Sequence, residues 1–201
     1  MSPVYRTLVA LALAAAFAAA PVRCEQQVLA LDPAASKVSF TLPATGHTVK
    51  GRLGVKSGRI AFNPATGAAS GQIVIDLKSA STGSESRDKN MHDEVLESSK
   101  YPLAVFRAEK LRGAVAPSGS SQVTLDGTLS FHGTDHTMSL PAQVSVKNGR
   151  LEAEARFEIP FVAWGLRDPS VLFLRVSKVV AVKIRAVGTL GNGGGAAAGA
   201  S

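Results

Sequence analysis

Cysteine is almost missing from this chain: Cys24 is the one thiol in 201 residues. A lone cysteine closes no intramolecular disulfide and supplies no thiolate cage for a metal. Aromatic residues are scarce at 5%, with a single Trp. The formal charge is +7, yet no block of Lys or Arg stands out along the chain. Nucleic-acid binding requires a basic stripe, with aromatic platforms where single strands are held, so that class is set aside. A peripheral contact with an anionic lipid surface remains compatible with the same charge. The Gly-x-Ser-x-Gly elbow of many hydrolases is absent from the sequence, and so is the strand–helix–strand alternation of parallel sheets.

The longest apolar run, "TLVALALAAAFAAA" at 7–20, falls short of the roughly 20 apolar residues a comfortable membrane span needs. It follows Arg6 and consists mostly of small residues, the layout of an export signal. Cleavage after Ala18 or after Cys24 fits the small-residue rule, so the mature chain is expected to begin between Ala19 and Glu25. Pro21 disfavours a cut after Ala20, and Arg23 disfavours lipidation of Cys24. At the other end, "GNGGGAAAGAS" (191–201) has no side chain to anchor it and reads as a flexible tail. The expected organisation is a signal peptide at 1–24, one domain at 25–190 and the tail at 191–201, with the mature protein periplasmic or secreted.

Between these ends the dominant period is two. "LEAEARFEIP" (151–160) sets Leu151, Ala153, Ala155, Phe157 and Ile159 against Glu152, Glu154, Arg156 and Glu158 on the opposite face. Such alternation is a half-buried antiparallel strand, because successive side chains of a strand point to opposite faces. "SQVTLDGTLSFHG" and "HTMSLPAQVSVKNG" repeat it, and "VSFTL", "GRIAFN", "GQIVIDL", "LAVFRAEKL" and "VAVKIRAV" read similarly, about eight strands in all. "NPATG", "HGTDH" and "KNGR" supply hairpin turns that tolerate positive φ. A meander with one apolar face and two open edges is best closed into a barrel, with a two-sheet sandwich as the alternative.

One stretch breaks the alternation: "SESRDKNMHDEVLESSKYP", residues 84–102. Ser84 or Ser86 can cap a short helix there, with Met91, Val95 and Leu96 on one side. Pro102 ends it and holds Tyr101 extended. The stretch reads as a helical crossover lying over a barrel end.

"SRDKNMHDEVLESSKYPLAVF", followed by "GTLSFHGTDHTMSLP" and "FEIPFVAWGL", resembles the YceI-like family of exported lipid-binding proteins, over about Leu31 to Leu190. The resemblance implies an all-β fold: an extended antiparallel eight-stranded lipocalin-like barrel with a short helical crossover. It implies an interior tunnel for a polyisoprenoid or similar lipid chain. One departure falls in the hairpin, where Asp135 and His136 take positions that usually read Thr-Lys.

The inward aromatics Phe40, Phe62, Phe106, Phe131, Phe157, Phe161, Trp164 and Phe173 are on their own simply a barrel core. The resemblance turns them, with Met91 and Ala155, into the expected ligand-binding set. Small inward residues, Gly127, Ala142, Ala153 and Ala155, leave room for a chain. Arg87, Asp88 and His92 are read as structural, tying the crossover to the rim. Asp88 and His92 are four residues apart and could meet as an acid–base pair, with Ser84, Ser86 or Ser98 as nucleophile, but an enzyme is the third-ranked reading. His132 and His136 with Asp135, His92 or His47 lack a zinc spacing; no metal and no cofactor is expected. The expected function is a carrier or sequestering protein for a long-chain amphiphile, with a homodimer left open. The alternative is a ligand-free structural or protein-interaction barrel of the cell envelope.

Overall fold

A computed structural model describes residues 26–170 and 175–193. The strands run β1 (Gln27–Leu31), β2 (Lys37–Ala44), β3 (His47–Phe62), β4 (Ala69–Ser81), β5 (Leu103–Arg112), β6 (Gly119–Phe131), β7 (Thr134–Lys147), β8 (Arg150–Ile159) and β9 (Val180–Asn192). A short helix, α1 (Glu85–Asn90), lies between β4 and β5 and continues into a wider π-turn at Met91–Val95. From β2 to β9 each strand pairs antiparallel with the next, and β9 returns to β2. The sheet therefore closes on itself with no free edge, which is how an up-and-down meander satisfies its outer ladders.

Nine strands make eight positions around the barrel. β1 and β2 occupy the same slot end to end, both running between β3 and β9. Asp32–Ser36 interrupts that slot. Asp32 Oδ1 accepts the backbone N–H groups of Ala34 and Ala35, turning the chain outward. Ser36 then replaces the missing ladder: its hydroxyl donates to the Val187 carbonyl at 3.2 Å and accepts the Val187 N–H at 3.0 Å. β1 is not among the strands that alternation marks in the sequence. It also lengthens β9, because Gly191 and Asn192, assigned by sequence to the tail, pair with Val28 and Gln27.

β3 is the other difference. The sequence shows only its last part, "GRIAFN", whereas the strand begins at His47. Of its two register shifts against β4, the one at Val55/Ser57 adds a residue on β3, while the one at Arg52/Gly54 adds residues on β4. Buried positions are odd-numbered at Val49 and Val55 and even-numbered at Ile60 and Phe62. A bulge inserts one residue and so flips the inward parity, which erases a strict period of two.

The turns follow from local chemistry. His132 (φ 51°) and Gly133 (φ 80°) form the two-residue connection of β6 to β7, and Asn148 and Gly149 that of β7 to β8. Both central residues at positive φ match the right-handed strand twist.

The two ends of the barrel differ. Toward the end where β3, β5, β7 and β9 finish, Phe62, Leu111, Val123, Val144, Val146 and Leu151 belong to a close-packed buried core. The opposite end carries the 82–102 crossover, the β2–β3 and β6–β7 hairpins and the segment after β8. That end is hollow.

Candidate functional site

A cavity of about 190 Å³ occupies the upper half of the barrel, and every residue lining it is apolar. All eight slots contribute wall: Phe40 from β2, Leu53 from β3, Ile75 from β4, Phe106 from β5, Leu129 from β6, Met138 from β7, Phe157 from β8 and Ile184 from β9. Phe131 and Phe161 complete the upper wall, and Met91, Val95 and Leu96 from the crossover form a lid. The π-turn accounts for that lid. The Leu96 N–H bonds to the Met91 carbonyl five residues back at 2.8 Å. A turn that wide brings residues i, i+4 and i+5 onto one side.

Glycines keep the lumen open. Gly51 faces Phe40 across the β2–β3 ladder, and a Cβ there would run into the Phe40 ring. Gly127 on β6 is crowded in the same way by the Phe106 ring and the Arg107 carbonyl. Each ring thus lies against its neighbouring strand instead of standing into the interior.

The crossover is fastened to the mouth at three places. Asp88 accepts hydrogen bonds from the Ser81 hydroxyl at 3.0 Å, from the Thr82 N–H at 2.8 Å and from the Thr82 hydroxyl. Arg87 donates to the Thr82 hydroxyl at 2.8 Å and the Thr82 carbonyl at 3.3 Å. Desolvation pushes the Asp88 carboxyl upward, but the bonds from Thr82, Ser81 and Gly83 outweigh it and hold it below its ordinary 3.8. His92 contacts the Ala80 carbonyl through Nε2 and the buried Ser98 hydroxyl through Nδ1, both at 2.9 Å. The carbonyl can only accept, so Nε2 donates to Ala80. Glu94 reaches Arg167 of the segment after β8 at 2.8 Å, and Tyr101 packs on His132 of the β6–β7 hairpin with ring centroids 4.3 Å apart.

Of the acid–base candidates, the structure brings His92 and Ser98 into contact at 2.9 Å and engages Asp88 elsewhere. Asp88 is engaged with Ser81 and Thr82, while His92 faces Ala80 and Ser98. Ser98, within the crossover, is 5% exposed. His47 bonds its own turn at Thr45, far along the chain from the His132–His136 hairpin and on a different one.

Of the residues singled out in the sequence, Phe40, Met91, Phe106, Phe131, Phe157 and Phe161 come together on the cavity wall. Phe62 is instead buried in the packed lower end, where it pairs with Gln27 and Ala69. Ala155, opposite Ala142 and Ile184, is not on the wall. Trp164 lies outside it, edge-on to Phe131 with centroids 6.4 Å apart. Phe173 is outside the described residues. Much of the wall is aliphatic and was not singled out: Leu53, Ile73, Ile75, Met138, Val182 and Ile184. Their inward parity was the available signal, at Leu53 too, which shares the odd numbering of buried Val49 and Val55.

Comparison with known proteins follows the same lines. Three UPF0312 proteins from strains of Vibrio cholerae are 28% identical over 145 residues, covering 69% of this chain and 73% of theirs. The fold matches the crystal structure of Burkholderia cenocepacia BcnA with a TM-score of 0.65 at 22% identity, covering 79% of this chain and 99% of that one. It matches a polyisoprenoid binding domain from Saccharophagus degradans, implicated in plant cell wall breakdown, with a TM-score of 0.64 at 20% identity, covering 80% of this chain and 97% of that one. A family model described as YceI-like domain matches residues 29–188, and the chain belongs to that family.

Proposed function

We propose that this barrel binds a polyisoprenoid or similar long-chain amphiphilic lipid in its upper cavity and acts as an exported carrier or sequestering protein. The observation that carries this reading is the wall: residues from every slot of the barrel and from the lid converge, and all are apolar. Apolar cavities of ~150 Å³ stay dry and take up hydrocarbon, since water finds no partner in them. Burial of each CH₂ gives about 0.8 kcal/mol, so about fifteen chain carbons give ~12 kcal/mol against an association cost of ~4–15 kcal/mol. A long chain is therefore required, and no catalytic group is. The Saccharophagus degradans relative, a polyisoprenoid binding domain, supports the same ligand class.

Export rests on the Arg6-then-apolar leader. N-terminal sequencing of protein from the periplasmic or secreted fraction should start between Ala19 and Glu25; an intact Met1 or Ser2 terminus there would refute it. The binding reading is tested by native mass spectrometry of the exported protein, followed by organic extraction. A co-purifying lipid, or uptake of added prenyl lipid by stripped protein, is the expected result. A barrel that neither carries nor takes up any long-chain lipid would leave the ligand-free envelope role.

A further inference from the structure

The cavity wall has no polar group, yet an unpartnered imidazole nitrogen lies buried beside it. His136 Nε2 is closed off from solvent and makes no hydrogen bond among the described residues, whereas the equally enclosed His132 Nε2 faces the Glu97 carboxylate at 2.9 Å. His136 belongs to the inward face of β7: Met138 and Leu140, two and four residues on, line the cavity. Its partner across the β6–β7 ladder is Leu129, also on the wall. The His136 ring stacks nearly flat on Trp164, with centroids 3.7 Å apart and an interplanar angle of 8°. Trp164 in turn meets Phe131, whose other ring neighbour is His132 at 6.4 Å. Both imidazoles are therefore arranged around one wall residue, Phe131, at the upper margin of the cavity, and His136 is the one whose Nε2 has no partner among the described residues.

A buried polar atom without a partner costs about as much as a lost hydrogen bond, and native structures rarely carry one without a use. One such atom, His136 Nε2, beside an otherwise hydrocarbon cavity fits the requirement of a ligand with one polar end. Resting on the lipid-binding reading above, we infer that His136 receives the polar head of the bound lipid, and that this head is uncharged and oxygenated, an alcohol or a carbonyl. An imidazole Nε2 suits either, donating to a carbonyl or accepting from a hydroxyl according to tautomer.

Charge decides against a phosphorylated head. The Glu97 carboxylate pairs with His132 Nε2 at 2.9 Å and repels an anion placed there. Nearby cations are engaged elsewhere: Arg107 with Asp135, Arg167 with Glu94, and exposed Lys100 over the Tyr101 ring.

The test compares three probes on the stripped full-length protein, by competition against a fluorescent prenyl lipid: geranylgeraniol, its headless hydrocarbon, and geranylgeranyl diphosphate. One neutral hydrogen bond in an apolar setting should make the alcohol bind about three- to tenfold tighter than the hydrocarbon, with the diphosphate weaker than the alcohol. His136→Phe keeps a flat ring on Trp164 while removing the nitrogen. It should erase the advantage of the alcohol over the hydrocarbon. Equal affinity of alcohol and hydrocarbon for the wild type overturns the inference while leaving the lipid-binding function standing, and so does tightest binding of the diphosphate. No binding of any probe removes the function itself. Should the variant fail to fold, the order of the three probes on the wild type still decides between these outcomes.

Discussion

The ring of Phe40 lies over Gly51, its direct partner across the β2–β3 ladder, in space that any side chain at position 51 would fill. The Ser81 carbonyl closes the same space from the β4 side, 2.9 Å from where a Cβ would sit. Phe40 can then yield only toward the cavity. Gly51→Ala should accordingly cost about 1–3 kcal/mol through overpacking and also lower the capacity for prenyl lipid. Calorimetry of the lipid-free protein and retention of a fluorescent prenyl lipid measure the two effects. Full retention would show that Phe40 does not set the width of the lumen.

The hollow and solid halves should respond oppositely to added volume. Ile184→Phe places a ring in the cavity and should leave the melting of stripped protein nearly unchanged while retention falls sharply. Ala153, whose ladder partners Val144 and Ala186 are both buried, has no such space. Ala153→Phe should cost about 1–3 kcal/mol and leave the retention of surviving folded protein near that of the wild type. Equal destabilisation by both substitutions would mean the upper half is packed as tightly as the lower.

Asp88 ties the crossover to β4 and has a folded-state pKa below its ordinary 3.8. A carboxylate held low contributes stability above its unfolded pKa and loses it as pH falls from there through the folded value. Asp88→Asn should therefore melt below the wild type at neutral pH, with the difference shrinking as the pH is taken below 3.8. Carboxylates common to both proteins, such as Asp126 and Glu152, also held low, cancel in that difference. A gap independent of pH would place the effect in shape and not in charge.

Ser36 is buried at 6% exposure and serves both backbone groups of Val187 across 151 residues of sequence. The Val187 carbonyl keeps a second partner in the Asp32 N–H, but Ser36→Ala strands the N–H of a residue that is 0% exposed. A loss of about 1–3 kcal/mol is expected, read by urea denaturation, with ligand retention unaltered. A smaller loss would imply that water fills the place of the hydroxyl.

The pair Glu94–Arg167 joins the crossover to the segment after β8, with side chains 49% and 66% exposed. Exposed pairs contribute about 0–1 kcal/mol, so Arg167→Ala should barely move the melting temperature. It should nevertheless speed the exchange of bound lipid, since it frees one fastening of the lid. Unchanged exchange in stopped-flow displacement would locate the path of the ligand elsewhere.

The sequence alone determined the barrel, because alternation over "LEAEARFEIP" and its counterparts leaves a meander one apolar face to hide, and closing the sheet hides it without leaving edges. It also placed Met91, Val95 and Leu96 on one side of the crossover, since that spacing is a local property of a helical turn. It did not reveal β1, a short strand whose existence depends on the gap between β3 and β9 far along the chain. Nor did it reveal β3 as one long strand, because the bulge at Val55/Ser57 reverses the inward parity between its first part and its last. Whether an inward residue meets a void or a neighbour was likewise left to the tertiary structure. Phe62 and Phe40 both lie on the apolar face, yet one is locked in the packed end and the other lines the cavity. Alternation reports which side of a sheet a residue faces. Only the level at which eight slots meet, and the glycines opposite their rings, decide what is there to meet it.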